Sequence, residues 1–286
     1  MKDCYMKKNT TKIGIILTKL GGLDIRALKY LVLFQNTLQE SFEFEFLPTP
    51  EKNDFLEKLD SSEPLDRKSV EQNASKFFAQ YDKESKEEAE DFELSYEPPD
   101  CFVILSTAKF ADEYYVTGED NWLIIALGHW QRSMAPPSIV EFFLALLVGT
   151  AIDTSCGENF PDRHHATKGC IFDFTADLDD ARLGVLTGFL CESCCDTIKQ
   201  SQSQKLIEDA KLLLRKEWLG DSSKPANVAN TVKKLGYDLF HTKGVKQTPW
   251  ERLSLTIQEE AIKSLLKIIG GIILAGLLIW LGLKST

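Results

Sequence analysis

The sequence is poor in histidine and methionine, with four of one and three of the other. His129, His164, His165 and His241 include no pair spaced i, i+4. No helix can therefore present the H-E-x-x-H face of a zinc hydrolase. No G-x-G-x-x-G, G-K-[ST] or G-x-S-x-G occurs either, so the Gly21-Gly22 turn is not a phosphate loop and no serine sits on a nucleophile elbow. The start, MKDCYMKKNTTK, lacks the apolar run of a signal peptide. Seven cysteines, an odd number, do not form a secreted disulfide framework and fit a reducing cytoplasm.

Four of the seven cysteines and two of the four histidines lie between His164 and Cys195. The spacing is His165-x4-Cys170, then Cys191-x-x-Cys194 after a longer gap. Two residues between thiols let one turn bring both sulfurs to an ion, with its N–H groups aimed at them. A second pair from a distant loop completes a tetrahedron. Three thiolates and one imidazole suit a single structural Zn²⁺. The expected ligands are His165, Cys170, Cys191 and Cys194, with His164 and Cys195 as alternates. Asp173, Asp177, Asp179 and Asp180 read as a solvated acidic run, because the spacing lacks an EF-hand's glycine and terminal glutamate. Cys156, Glu158 and His164 are the residues from which a thiol nucleophile would have to be built, and sequence proximity alone does not build one.

Charge divides the chain. Residues 1–196 carry 19 basic against 35 acidic side chains, and residues 197–286 carry 14 against 8. The acidic body argues against direct nucleic-acid binding, and the basic remainder suits an anionic membrane surface.

The fold reads as mixed α/β. Residues 1–50 form a β-α-β unit: an isoleucine-rich run at Lys12–Lys19, a helix capped by Asp24, and the alternating Phe42–Leu47. Residues 51–100 are an acidic insertion with a solvated face. Residues 101–196 are the core with the metal site. Cys101–Thr107 and Asn121–Trp130 read as strands, joined by a connection at Phe110–Glu119. Ser138 and Glu141 make a capping box at the start of a helix apolar nearly all round, which belongs inside a domain. Lone His129 reads as a packing or surface residue. Residues 197–262 read as a basic helical arm, with helices at Gln204–Trp218 and Ala226–Phe240 and a helix start at Thr248–Glu251.

Residues 263–286 read as a transmembrane tail. Ile268–Leu283 is uncharged and bracketed by Lys267 and Lys284. It spans roughly 24 Å at about 1.5 Å per residue, short of the ~30 Å hydrocarbon core. Flanking lysines can snorkel, and Leu265 and Leu266 lengthen the run. Gly271 and Ala275 form a small-xxx-small face for helix–helix contact. The expected location is the inner membrane, single-pass, with the body in the cytoplasm.

The order strand, helix, strand, insertion, two strands, apolar helix, then histidine and cysteines resembles the archaemetzincin group of metallopeptidases. Their motif is HExxHxxGxxHC-x4-C-x-M followed by C-x-x-C, with one catalytic zinc on three histidines and one structural zinc on four cysteines. In this resemblance His164 falls on the third catalytic histidine, and His165 on the first structural cysteine. Cys170 takes the second, Phe172 the methionine, and Cys191 and Cys194 the last two. The other catalytic histidines fall on Thr154 and Glu158, and the glutamate on Ser155. None of these can bind zinc and activate water in the required way. The resemblance thus implies a peptidase-like scaffold with a structural zinc and no catalytic residues. Such an inert body on a membrane tail suggests a sensing or partner-binding module, and its pairing with a short, glycine-rich span suggests a bacterial defence effector that clusters and permeabilises the membrane. Its protein partner would be encoded nearby. The alternatives are an active membrane-tethered zinc peptidase and a passive tether.

Overall fold

The computed structural model describes residues 10–20, 23–157, 164, 169–235, 253 and 257. The chain divides into two compact units, Met1–Gly220 and Asp221–Thr286.

The first unit is mixed α/β, built on a five-stranded sheet of order β2-β1-β3-β5-β4. Strand β1 is Thr11–Leu17, β2 Phe42–Phe46, β3 Cys101–Ser106, β4 Val116–Glu119 and β5 Trp122–Ala126. The first, second, third and fifth run parallel, and β4 pairs antiparallel with β5 at the edge. Strand β3 is buried along its whole length. Its unbroken apolar sequence follows, since a parallel strand covered on both faces has no polar side. Edge strand β4 lies in the stretch read as a mere connection. Its sequence, VTGE, carries too little apolar signal to be seen without its partner.

Helices cover both faces. Helix α1, Ile25–Gln35, starts at Asp24, whose carboxylate accepts the N–H groups of Arg26 and Ala27. It buries Ala27, Leu28, Leu31 and Val32. Helices α2, Asp54–Leu59, and α3, Arg67–Asp91, form the acidic insertion. The insertion is more than a solvated face. Val70, Ala74, Phe77, Phe78 and Tyr81 of α3 share one core cluster with Phe102, Ile104, Trp122 and Ile124 of the sheet. Only the last turns of α3, where the acidic residues crowd, stand clear of that core. The sequence reading was misled by charge density: a helix needs one apolar stripe to dock, and three charged faces hide it.

Helix α4, Ile139–Cys156, packs on the other face. Its Ser138–Glu141 capping box is formed as expected, worth about 1 kcal/mol. Among the described residues α4 is the helix long and apolar enough to cross a membrane, yet 72% of it is buried in the body. Helices α5, Leu178–Thr187, α6, Glu192–Ser201, and α7, Gln204–Arg215, complete the unit. Helix α7 buries Leu206, Ala210, Leu213 and Leu214 and packs on α4. Its buried Asp209 accepts from the Ser41 hydroxyl at 2.7 Å. Residues 197–220 therefore belong to the body and not to a separate arm.

In the second unit, α8 is Val228–Lys234. The remainder of the helix expected over Ala226–Phe240, the helix start at Thr248–Glu251, and the tail with Gly271 and Ala275 lie outside the described residues.

Candidate metal centre

The loop after α4 returns on itself twice. His164 bridges to Asp173, with the Phe174 N–H donating to the His164 carbonyl at 2.9 Å. Cys170 bridges to Phe189, with the Ile171 N–H donating to the Phe189 carbonyl at 2.9 Å. Between these returns, α5 starts at Asp177, whose side chain accepts the Asp180 N–H, and ends at Gly188 in the left-handed region. Glycine is required there. A Cβ at 188 would lie 2.2 Å from the Leu214 carbonyl oxygen. Cys191 caps α6, its sulfur accepting the Cys194 N–H at 3.5 Å.

These turns gather His164, Cys170, Cys191 and Cys194, with their donor atoms all within 4.8 Å of one another. His164 Nε2 lies 3.3 Å from Cys194 Sγ and 3.4 Å from Cys191 Sγ, and the Cys170 and Cys194 sulfurs are 3.9 Å apart. Four corners around zinc, with metal–ligand bonds of about 2.0–2.3 Å, have edges of about 3.6 Å between nitrogen and sulfur and about 3.8 Å between sulfurs. The observed edges fit that tetrahedron, so the cluster can hold one metal ion such as zinc. The imidazole in this set is that of His164, the alternate of the sequence analysis. His165, its first choice, lies outside the described residues. Cys195 is not in the set; its thiol points toward the Leu190 carbonyl at 3.9 Å.

Asp173 is the residue of this candidate site that sequence reading missed. It is buried and not part of a solvated run. Its Oδ1 lies 2.6 Å from His164 Nδ1. Its Oδ2 accepts the N–H groups of Gly169 and Cys170 at 2.7 and 3.0 Å. A carboxylate behind a ligating histidine fixes which ring nitrogen faces the ion and makes that nitrogen more basic. The signal was there in the spacing Cys170-x-x-Asp173, which lets one side chain collect the turn's N–H groups. Asp179 and Asp180, by contrast, are exposed in the first turn of α5, where they complement its N-terminal dipole.

The electrostatics call for a cation. The Cys170 thiol is pushed down to about 5, chiefly because the Cys194 thiol donates to it, with help from the Cys191 and Phe172 N–H groups against burial. The Cys194 thiol is pushed far up, because it donates to Cys170 and is itself desolvated. Two thiolates 3.9 Å apart repel by about 4 kcal/mol at an effective dielectric of about 20. Without an ion the cluster shares its protons; a divalent cation lets every sulfur ionise.

Other candidate residues do not assemble. His129 Nε2 lies 2.9 Å from the Phe110 carbonyl oxygen, a packing role. The Cys101 thiol is pushed up to about 12 by burial, far from the reactive range. The His164 ring faces Cys191 and Cys194, so it is not the base of a Cys156 nucleophile. Of the positions where the resemblance sets hydrolytic residues, Thr154 lines a groove of about 600 Å³ beside α4. Ser155 is turned to β1, 2.7 Å from the Thr11 hydroxyl. Glu158 lies outside the described residues. Among the described residues the groove is lined by Thr150, Asp153 and Thr154 of α4 and by no histidine.

Comparison with family models, with curated proteins and with solved structures finds no match.

Proposed function

We propose that the chain is a catalytically inactive, metallopeptidase-like binding module, pinned by one structural zinc and fastened to the inner membrane by residues 263–286, with the body in the cytoplasm. The observation that supports it is the closed donor set. Three thiols and one imidazole occupy all four corners, which leaves a bound zinc no position for water. Hydrolysis needs an open position with a base beside it. The α4 groove offers hydroxyls and carboxylates, and no two of the chain's histidines have the i, i+4 spacing that a helix needs to present a second centre. The measurement is zinc content of the full chain in non-ionic detergent, alongside a peptidase assay. About one ion per chain and no chelator-sensitive cleavage are expected. Two ions per chain, with cleavage that a chelator abolishes, would establish the tethered peptidase instead.

The membrane half rests on the uncharged run Ile268–Leu283. A protein partner encoded nearby engages the body, the tails cluster through Gly271 and Ala275, and the membrane becomes permeable in the manner of a defence effector. Dye release from liposomes after cross-linking the bodies is the test. Absence of release removes permeabilisation and leaves a passive tether, for which Gly271→Leu is silent.

A further inference from the structure

We infer that the side chains of Asn36 and Gln39 stand in for a neighbouring strand on the outer edge of β2, and that they keep a second copy of this chain from joining the sheet there. Strand β2 ends the sheet order. Its sequence, FEFEF, holds no proline and no lysine. An edge strand of this kind presents a row of N–H and C=O groups to any extended chain that meets it.

The bonds to β1 show which groups those are. The Thr11 N–H donates to the Ser41 carbonyl at 3.0 Å, and the Leu47 N–H donates to the Ile15 carbonyl at 2.8 Å. Residues of a paired strand face their partner alternately, so the backbone groups of Phe42, Phe44 and Phe46 face outward. Those of Phe42 and Phe44 are already taken. The Phe42 N–H donates to Gln39 Oε1 at 2.7 Å, and Gln39 Nε2 donates to the Phe42 carbonyl at 2.8 Å. The Phe44 N–H donates to Asn36 Oδ1 at 2.9 Å, and Asn36 Nδ2 donates to the Phe44 carbonyl at 2.8 Å. A primary amide carries the donor and the acceptor of a peptide group. Each side chain therefore makes the two-bond exchange that a paired strand would make. Gln39 is buried, and a buried amide is costly unless it is bonded in this way.

Two further features oppose pairing at the same edge. In an antiparallel β2–β2 pair centred on Phe44, Glu43 of each copy would stand opposite Glu45 of the other, a like-charge contact. At Phe46, the third outward position, the Lys29 ammonium lies over the ring at 5.3 Å. A charge at an edge position disfavours an incoming strand.

The inference goes beyond the reading of the body as a metal-pinned module and rests on neither the zinc nor the tail, which are the same in every variant compared. The experiment is hydrogen–deuterium exchange and light scattering on the full chain in non-ionic detergent, over a series of protein concentrations. In the wild type the Phe42 and Phe44 N–H groups should exchange more slowly than that of Phe46. Asn36→Leu should speed exchange at Phe44 by about fivefold or more, the factor one lost hydrogen bond gives. The double variant Asn36→Leu/Gln39→Leu should do so at both positions and then associate. Its mass should rise with concentration to about twice that of the wild type, as a symmetric pair requires, with the Phe46 N–H becoming protected as the edges join. Adding Glu43→Gln should strengthen that association. Asn36→Asp keeps an acceptor for the Phe44 N–H and adds a charge, so it should stay at the wild-type mass. If the double variant fails to fold, Asn36→Leu, at a half-buried position, carries the same test. A folded variant that exposes Phe44 yet keeps the wild-type mass at every concentration would show that the amides only fasten the α1–β2 turn, and overturns the inference. Association that leaves the Phe46 N–H unprotected overturns it as well.

Discussion

Two excursions leave the central sheet, and they differ in how they are held. The helical layer of residues 51–100 is heavily charged but docks through aromatics. Phe78 stacks 5.5 Å from Trp122 and 5.6 Å from Phe102, and Phe77 and Tyr81 are buried beside it. Each such side chain stabilises by about 1.5–3 kcal/mol on burial. The loop from His164 to Cys195 looks more apolar, yet Leu183, Leu186 and Phe189 of α5 and its end are 52%, 47% and 46% exposed. It buries Phe172, Leu178, Val185 and Leu190, and four donor atoms come together where its two returns meet. Charge density on a sequence therefore says little about which segment is packed. One buried stripe suffices for the first excursion, and the second adds to its buried residues a cluster that can hold a metal ion.

The comparison breaks most visibly at the ligands. Cys194→Ser should reduce zinc content from about one ion per chain to near zero and expose the loop to protease while the sheet stays folded. Acid should do the same. Metal binding requires deprotonated thiols, so protons compete with the ion for this cluster. Zinc release and loop cleavage should therefore rise together as pH falls, with the α3 layer unchanged. Equal loss of both regions would show that the loop is not an independent, ion-held element. Next in size is Phe78→Ala, expected to cost about 3–5 kcal/mol in denaturant titration with zinc content unaltered. A variant that loses zinc as well would mean the two excursions are coupled through the sheet. Smaller is Asp173→Asn, which leaves the ligands in place and should weaken zinc binding by about 10–100-fold in a competition assay with a chelator. Unchanged affinity would reduce Asp173 to a turn-forming residue. Smallest is Ser138→Ala at the start of α4, with about 1 kcal/mol lost and neither excursion affected.

Much of this was legible from local pattern. Strands β1, β3 and β5 announced themselves as apolar runs, β2 as an alternation, and Asp24 and Ser138 as helix caps, because all these signals reside within a few residues. Strand β4 was not legible. Four residues with one apolar side chain become a strand only by pairing with β5. The docking face of α3 was hidden by the lysines and glutamates around it. At the candidate metal centre the three cysteines followed from spacing, but the choice between adjacent histidines did not. Two neighbours in sequence differ only in where the backbone turns them, and His164 is aimed by Asp173 and by its bridge to that strand-like return.

By itself the sequence determined the chemistry available: enough cysteine for one thiolate-rich centre, no i, i+4 histidine pair for a helix-borne hydrolytic one, and an uncharged run long enough to approach a bilayer's depth. The tertiary structure alone decided what stands next to what. Asp173 lies behind His164, VTGE becomes a strand beside β5, and an acidic insertion packs into a core with the sheet. Composition and short spacings are properties of a chain before it folds, whereas burial and the approach of distant side chains exist only once the backbone has closed.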